Sequence, residues 1–344
     1  MVSPTDPPIT ARAVEDFTST AFDDPSQAND FFHNHSCGNT PEVSNLPYER
    51  FKHYEDLLSG MRRLDPIKYS RMHKGTPLFF LAWLAFDLRN FEKALYFLDA
   101  AISEDILRAN DRTDLSVDQR TQGWINLPGA QFIKLMRGTV ADRTVKKLRE
   151  VLEGEFRRFS EASGQQSIST DEWVEKVVEP LLIGQSGRTL LCAFYVFLYE
   201  YRDRLKEIQL RTGAQSGGAN HPLLNHLFLG GLVFESLLKR FYDRATTLDQ
   251  IFNDNPHRRA FRADFGITEE RSLNVGIRNL STIEGIASTS GMVAAFETTA
   301  QLRNATGHNL ERDNIFDQPA LYTALFSQVM AAILYVVSVK FIRA

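Results

Sequence analysis

The sequence predicts an all-α protein in two parts, an N-terminal helical domain followed by a C-terminal helical bundle. Three observations predict it. Apolar residues recur at spacings of three and four along most of the chain, and no run alternating in twos is long enough for a sheet. The sharpest punctuation is the small, flexible run at 213–220, which falls between two strong helical patterns and reads as a linker. Domains are therefore expected at 46–212 and 221–344, preceded by a loose arm at 1–45.

Length and composition narrow the function. A chain of 344 residues suggests about two domains, and 43% hydrophobic with 24% charged residues is ordinary for a globular protein. The net charge of −4 and a pI near 6.1 argue against nucleic-acid binding by bulk charge, so any such contact is local. The two cysteines, Cys37 and Cys192, are far apart, which fits a reducing cytoplasmic compartment and gives no disulfide framework. The first eleven residues are polar and Pro-rich, unlike a secretory signal.

In chain order, residues 1–45 carry Pro, Asp, Ser and Thr with scattered Phe, the composition of a loose arm. His33, His35 and Cys37 lie close together there, but no second cluster completes a metal site, so a solvated loop is expected and no metal. Residues 48–64 form a helix with Phe51, Tyr54, Leu58 and Met61 along one side, closed by Asp65-Pro66. Over 75–105, Leu78, Leu81, Ala82 and Ala85 make one stripe. Arg89-Asn90 makes a turn, and Phe91, Ala94, Leu95, Leu98 and Ala101 make a second stripe. The small residues let two antiparallel helices approach, and the pair resembles one tetratricopeptide-repeat unit with no second copy at the expected period. That resemblance implies a surface that recognises a protein partner or a scaffold, the alternative being a plain core helical hairpin. Further helices are expected at 141–162, 171–183 and 188–210, the last with Phe194, Tyr195, Phe197, Tyr199 and Tyr201 as a core stripe.

Past the linker, a helix over 221–244 opens with Pro222 and carries one acid, Glu235, among its apolar residues. A helix near 268–280 and a capping box at Ser281 and Glu284 follow. Arg258, Arg259 and Arg262 surround Phe261, a grouping that suits an RNA backbone with the ring open to a base. The final helix starts near Pro319, and 320–339 is uncharged and long enough to span a bilayer. Small and polar residues at Thr323, Ala324, Ser327, Ala331, Tyr335 and Ser338 form a seam, as in a buried bundle helix. No membrane is expected, with a C-terminal tail anchor as the alternative.

The chemistry-bearing stretch is Arg303-Asn304-Ala305-Thr306-Gly307-His308, at the end of the helix before that last one. Arginine holds a phosphate with a planar fork of donors, and histidine moves a proton near neutral pH. Residues five apart on one helix point about 140° from each other. Two routes bring the pair together: Gly307 ends the helix and turns His308 back, or the groups of two chains meet in one cleft.

A long first helix, a helix ending in Arg-Asn-x-x-x-His and a long apolar last helix resemble a HEPN domain (higher eukaryotes and prokaryotes nucleotide-binding). The resemblance covers about 220–343. It implies a homodimer whose motifs meet across the two-fold axis and a metal-independent endoribonuclease acting on single-stranded RNA without a cofactor. It also implies Arg303, His308 and Asn304 as site residues, and a role in antiviral defence or toxicity. Some members carry an extra acid on the first helix, a place Glu235 fills as a candidate. The alternative is a non-catalytic HEPN-type dimerisation, nucleotide- or RNA-binding module with a partner-binding N-terminal domain.

Overall fold

The structure is a computed structural model that describes residues 10–23, 25–40, 43, 45–110, 143–182, 184–210, 221–276, 291–308 and 318–343. At 25, 105, 106, 108–110, 143–148 and 305–308 it describes the backbone alone. Every regular element among the described residues is a helix, so the class is all-α. The chain divides into two compact units, Met1–Leu135 and Met136–Ala344. The helices at 143–210 thus group with those past 221, because Gln185–Leu210 packs on both His221–Phe241 and Pro319–Val337. The expected linker at 213–220 lies outside the described residues.

The first unit holds α1 (Ala11–Ser19), α2 (Pro25–Asn34), α3 (Pro47–Leu64), α4 (Pro66–Arg71), α5 (Gly75–Asp87) and α6 (Phe91–Asn110). The expected loose arm is instead folded over α1 and α2. Its four phenylalanines converge: the rings of Phe17 and Phe22 are 5.6 Å apart, Phe22 and Phe31 5.6 Å, Phe31 and Phe32 5.4 Å. Burying four aromatic rings offsets the ordering of a polar segment. The expected solvated loop is corrected at His35, which is buried with its Nε2 2.9 Å from the Asp16 carboxylate. Among the described residues no His, Cys, Asp and Glu group is placed to hold a metal ion.

Helices α5 and α6 pack against each other as the two stripes require, with Leu81, Ala82, Ala85, Phe91, Ala94, Leu95, Leu98 and Ala101 buried. Arg89 takes a left-handed φ of 57° in the turn, and the Asn90 side chain accepts from the Lys93 amide to start α6.

The second unit begins with α7 (Arg143–Ser163), closed by Gly164 at φ 66°. Next comes α8, which runs as Thr170–Trp173, a π turn Val174–Val178 and Glu179–Leu182. Then follow α9 (Gln185–Leu210), α10 (His221–Phe241), α11 (Leu248–Asn253), α12 (His257–Phe265), α13 (Met292–His308) and α14 (Pro319–Val337, continued by a π segment Ser338–Ile342). Helix α14 is the centre of the bundle and packs on α7, α9, α10 and α13. It is long and apolar enough to cross a membrane, and most of its apolar window is buried within the unit. The aromatic stripe of α9 is buried as its spacing requires.

Helix crossings are set by small residues and one buried histidine. A Cβ on Gly230 would lie 2.5 Å from the Phe197 ring and 2.7 Å from Val329, so only glycine lets α10 nest between α9 and α14. One turn earlier, His226 stacks on Phe197 and Phe326. Its Nε2 donates to the Phe197 carbonyl (2.7 Å), so the proton is on Nε2, and Nδ1 accepts from the Tyr322 hydroxyl (2.6 Å). Burial pushes this imidazole down to about 3. An unfolded histidine titrates near 6.5, so below that pH the unfolded chain takes up a proton that the folded one refuses. Stability should therefore fall with falling pH between those values, by up to roughly 1.4 kcal/mol per pH unit from this group. Urea midpoints at pH 7 and pH 5 measure it; His226→Gln should flatten the difference, and an unchanged difference would contradict the assignment.

Residues 267–275, expected to be helical from about 268, form no regular element. Side chains from flanking helices claim their backbone groups. Asn253 donates to the Leu273 carbonyl (3.0 Å) and accepts from its amide (2.8 Å). Glu297 accepts from the Asn274 amide (2.6 Å), and Gln301 donates to the Asn274 carbonyl (3.3 Å). The capping box at Ser281 and Glu284 lies outside the described residues.

Candidate functional site

The site forms where α13 crosses α10. A Cβ on Gly231 would lie 2.8 Å from Arg303 Cβ and 3.3 Å from Arg303 Cα, so the glycine lets the two backbones close at this point. Glu235 is one turn further along the same face of α10. The close crossing therefore sets the guanidinium on the carboxylate: Arg303 Nε donates to Glu235 Oε2 at 2.5 Å. Lys239, four residues on, places Nζ 2.7 Å from Glu235 Oε1. Glu235 is 5% exposed, and a carboxylate so buried needs paired cations to offset its lost hydration. Here it has two, one on each oxygen.

Asn304 fixes the other side of the guanidinium. Its Oδ1 accepts from Arg303 Nη1 (3.1 Å), and its Nδ2 donates to the Val275 carbonyl (2.9 Å). Glu297, Gln301 and Asn304 are four and three apart, so one face of α13 clasps the backbone of Asn274 and Val275. That clasp is anchored by Arg271, whose guanidinium forks onto Glu297 at 2.5 and 3.1 Å. Together these elements surround a pocket of about 500 Å³, lined by Glu235, Lys239, Asp249, Gly276, Arg303 and Asn304 among others. Its lining sets two cations, Arg303 and Lys239, both held by Glu235, beside a second acid, Asp249.

The motif's histidine stands differently from one expectation. Helix α13 continues through Gly307 to His308, so the glycine does not end the helix or turn His308 back. The backbone stays hydrogen-bonded through the small residues that follow Asn304, and Arg303 and His308 leave one helix about 140° apart. The His308 side chain lies outside the described residues.

The arginines of α12 sit apart from this pocket. Phe261 is fully buried, with the rings of Phe252, Phe265 and Phe296 at 4.9, 5.0 and 5.6 Å, so it offers no face to a base. Arg258 donates to the Glu270 carbonyl and Arg262 to the Arg271 carbonyl (2.5 Å), while Arg259 is exposed. Sequence reading singled out Glu235, Arg303 and Asn304, which the fold brings together. It passed over Lys239, whose signal was its place four residues after the buried acid.

No family model, curated protein or solved structure matches this chain.

Proposed function

We propose that residues 221–343 act as a HEPN-like domain that cuts single-stranded RNA in a homodimer, with Arg303 of one chain and His308 of the other at each scissile phosphate. The observation that carries this reading is Arg303 held at a helix crossing by Glu235 and Asn304, in a pocket large enough for a phosphate and sugar. The continuous helix to His308 supports the two-chain arrangement, because a single helix aims the two groups about 140° apart. Donors held in a fixed geometry stabilise developing charge better than mobile ones in water, and the Arg303 guanidinium is held on two sides.

In the proposed step a histidine takes the proton of the ribose 2′-hydroxyl, and the 2′-oxygen attacks phosphorus. The bond to the 5′-oxygen breaks, that oxygen takes up the proton the histidine carries, and the products are a 2′,3′-cyclic phosphate and a 5′-hydroxyl. Arg303 neutralises the charge that builds on the phosphoryl oxygens. Asn304 acts as a positioning residue, since both ends of its amide are used in holding Arg303 to the 273–275 backbone. Glu235 positions Arg303 and Lys239. A defence or toxin role is the biological setting that the HEPN resemblance implies.

A second reading has its own support: Arg303, Glu235 and Lys239 also make a self-sufficient ion network that would lock α10 to α13 in a non-catalytic dimerisation module. Labelled single-stranded RNA incubated with the protein in EDTA separates the two. Cleavage should persist in chelator, yield 2′,3′-cyclic ends and fall by about 10²–10³-fold in Arg303→Ala and in His308→Ala. No cleavage by the wild type, or cleavage at the wild-type level in the two variants, would contradict the nuclease.

A further inference from the structure

A second cavity in the same unit lies beside this site and shares Lys239 with its lining. It is a groove of about 490 Å³ between the start of α9 and the second half of α10. Its floor is apolar. Leu229, Leu232 and Val233 face it from α10 at helical spacing, and Leu190 and Ala193 face it from α9. One end is cationic, where Lys239, Arg240 and Arg244 line it. Arg240 and Arg244 are exposed, so both are open to a ligand from solvent. The volume lies within the roughly 300–1,000 Å³ of small-molecule sites, which pair an apolar lining with a few placed polar groups.

From this pairing we infer that the α9–α10 groove is a binding site for a free single-chain amphiphile with an anionic head, an alkyl phosphate ester or a fatty carboxylate. The chain lies along Leu190, Ala193, Leu229 and Leu232, and the head meets the guanidinium groups of Arg240 and Arg244. Charge-assisted bonds from arginine to phosphate or carboxylate are the strong kind, and forked donors favour planar or multi-oxygen heads. Burial of the chain supplies the rest, at about 0.8 kcal/mol per methylene. Inorganic phosphate satisfies only the cationic end, and an uncharged alcohol only the floor. An anionic bilayer offers the same heads, but its chains are held in the bilayer and cannot fill the groove.

Lys239 lines both this groove and the Arg303 pocket, where it holds Glu235. A head group that draws Lys239 away leaves Arg303 as the remaining partner of that acid, so occupation of the groove is felt at the site. This coupling rests on the proposed function; the binding itself does not.

Calorimetric titration of the full chain with dodecyl phosphate and dodecanoate, below their micelle concentrations, tests the inference without any RNA. Both should bind saturably at one per chain, with dodecanol and inorganic phosphate each weaker by about ten-fold or more. The double variant Arg240→Ala/Arg244→Ala and the floor variant Leu232→Glu should each weaken dodecyl phosphate by about ten-fold, with wild-type circular dichroism. Equal binding of dodecanol, no loss in either variant, or binding only to phosphatidic-acid vesicles would overturn it. Because the readout is heat of binding, its failure is distinct from failure of the nuclease reading.

Discussion

Arg303→Lys is expected to lose RNA cleavage nearly as completely as Arg303→Ala, by about 10²–10³-fold. Charge is retained in this variant, so the loss isolates geometry. The guanidinium holds Glu235 through Nε and Asn304 through Nη1 in one plane, which fixes where its charge meets a phosphate. A lysine ammonium is a compact point charge on a flexible stem and cannot bridge both groups in a plane. Stability should change far less than activity, since Lys239 still pairs with Glu235 and a lysine at 303 keeps a cation at the crossing. Single-turnover cleavage beside urea unfolding separates the effects. Activity within about three-fold of wild type would mean that only bulk positive charge matters at this position.

Phe296→Ala should be the most damaging single change to the second unit, at about 3–5 kcal/mol. Phe296 is fully buried on α13, with Phe234, Phe252, Phe261, Phe265 and Tyr335 between 5.1 and 6.3 Å from its ring. Five rings from α10, α11, α12 and α14 cannot all collapse into the space it leaves, so much of the cavity penalty persists. That loss is a large part of a typical domain stability of about 5–15 kcal/mol. The helix that presents Arg303 would lose its backing at the same time. A shift in urea unfolding worth under about 1 kcal/mol would show that this cluster is looser than its distances indicate.

Much of the fold was legible because it rests on local spacing. The α5–α6 hairpin, the aromatic stripe of α9 and the apolar length of α14 all follow from repeats of three and four. What escaped was decided by distant partners. The arm at 1–45 reads as polar because its four phenylalanines are spread among Asp, Ser and Pro, and only their convergence in space makes a core. Residues 267–275 lose a helical tendency to side chains of Asn253, Glu297 and Gln301, which no local window contains. The site was half legible. The Arg303–Asn304 pair stands out beside a histidine, and Glu235 stands out as an acid in an apolar helix. That Glu235 meets Arg303, 68 residues away, depends on the bare Cα of Gly231 at the helix crossing.

In the proposed dimer each site draws its arginine and its histidine from different chains. Mixing the Arg303→Ala and His308→Ala proteins after unfolding and refolding together tests it most directly. In a two-fold dimer the mixed pair carries one site with both groups intact and one with neither, and half of all dimers are mixed. The mixture should therefore recover about a quarter of wild-type cleavage, while each variant alone stays inactive. Mixed dimers shown to form, with cleavage no higher than in the separate variants, would contradict the shared site.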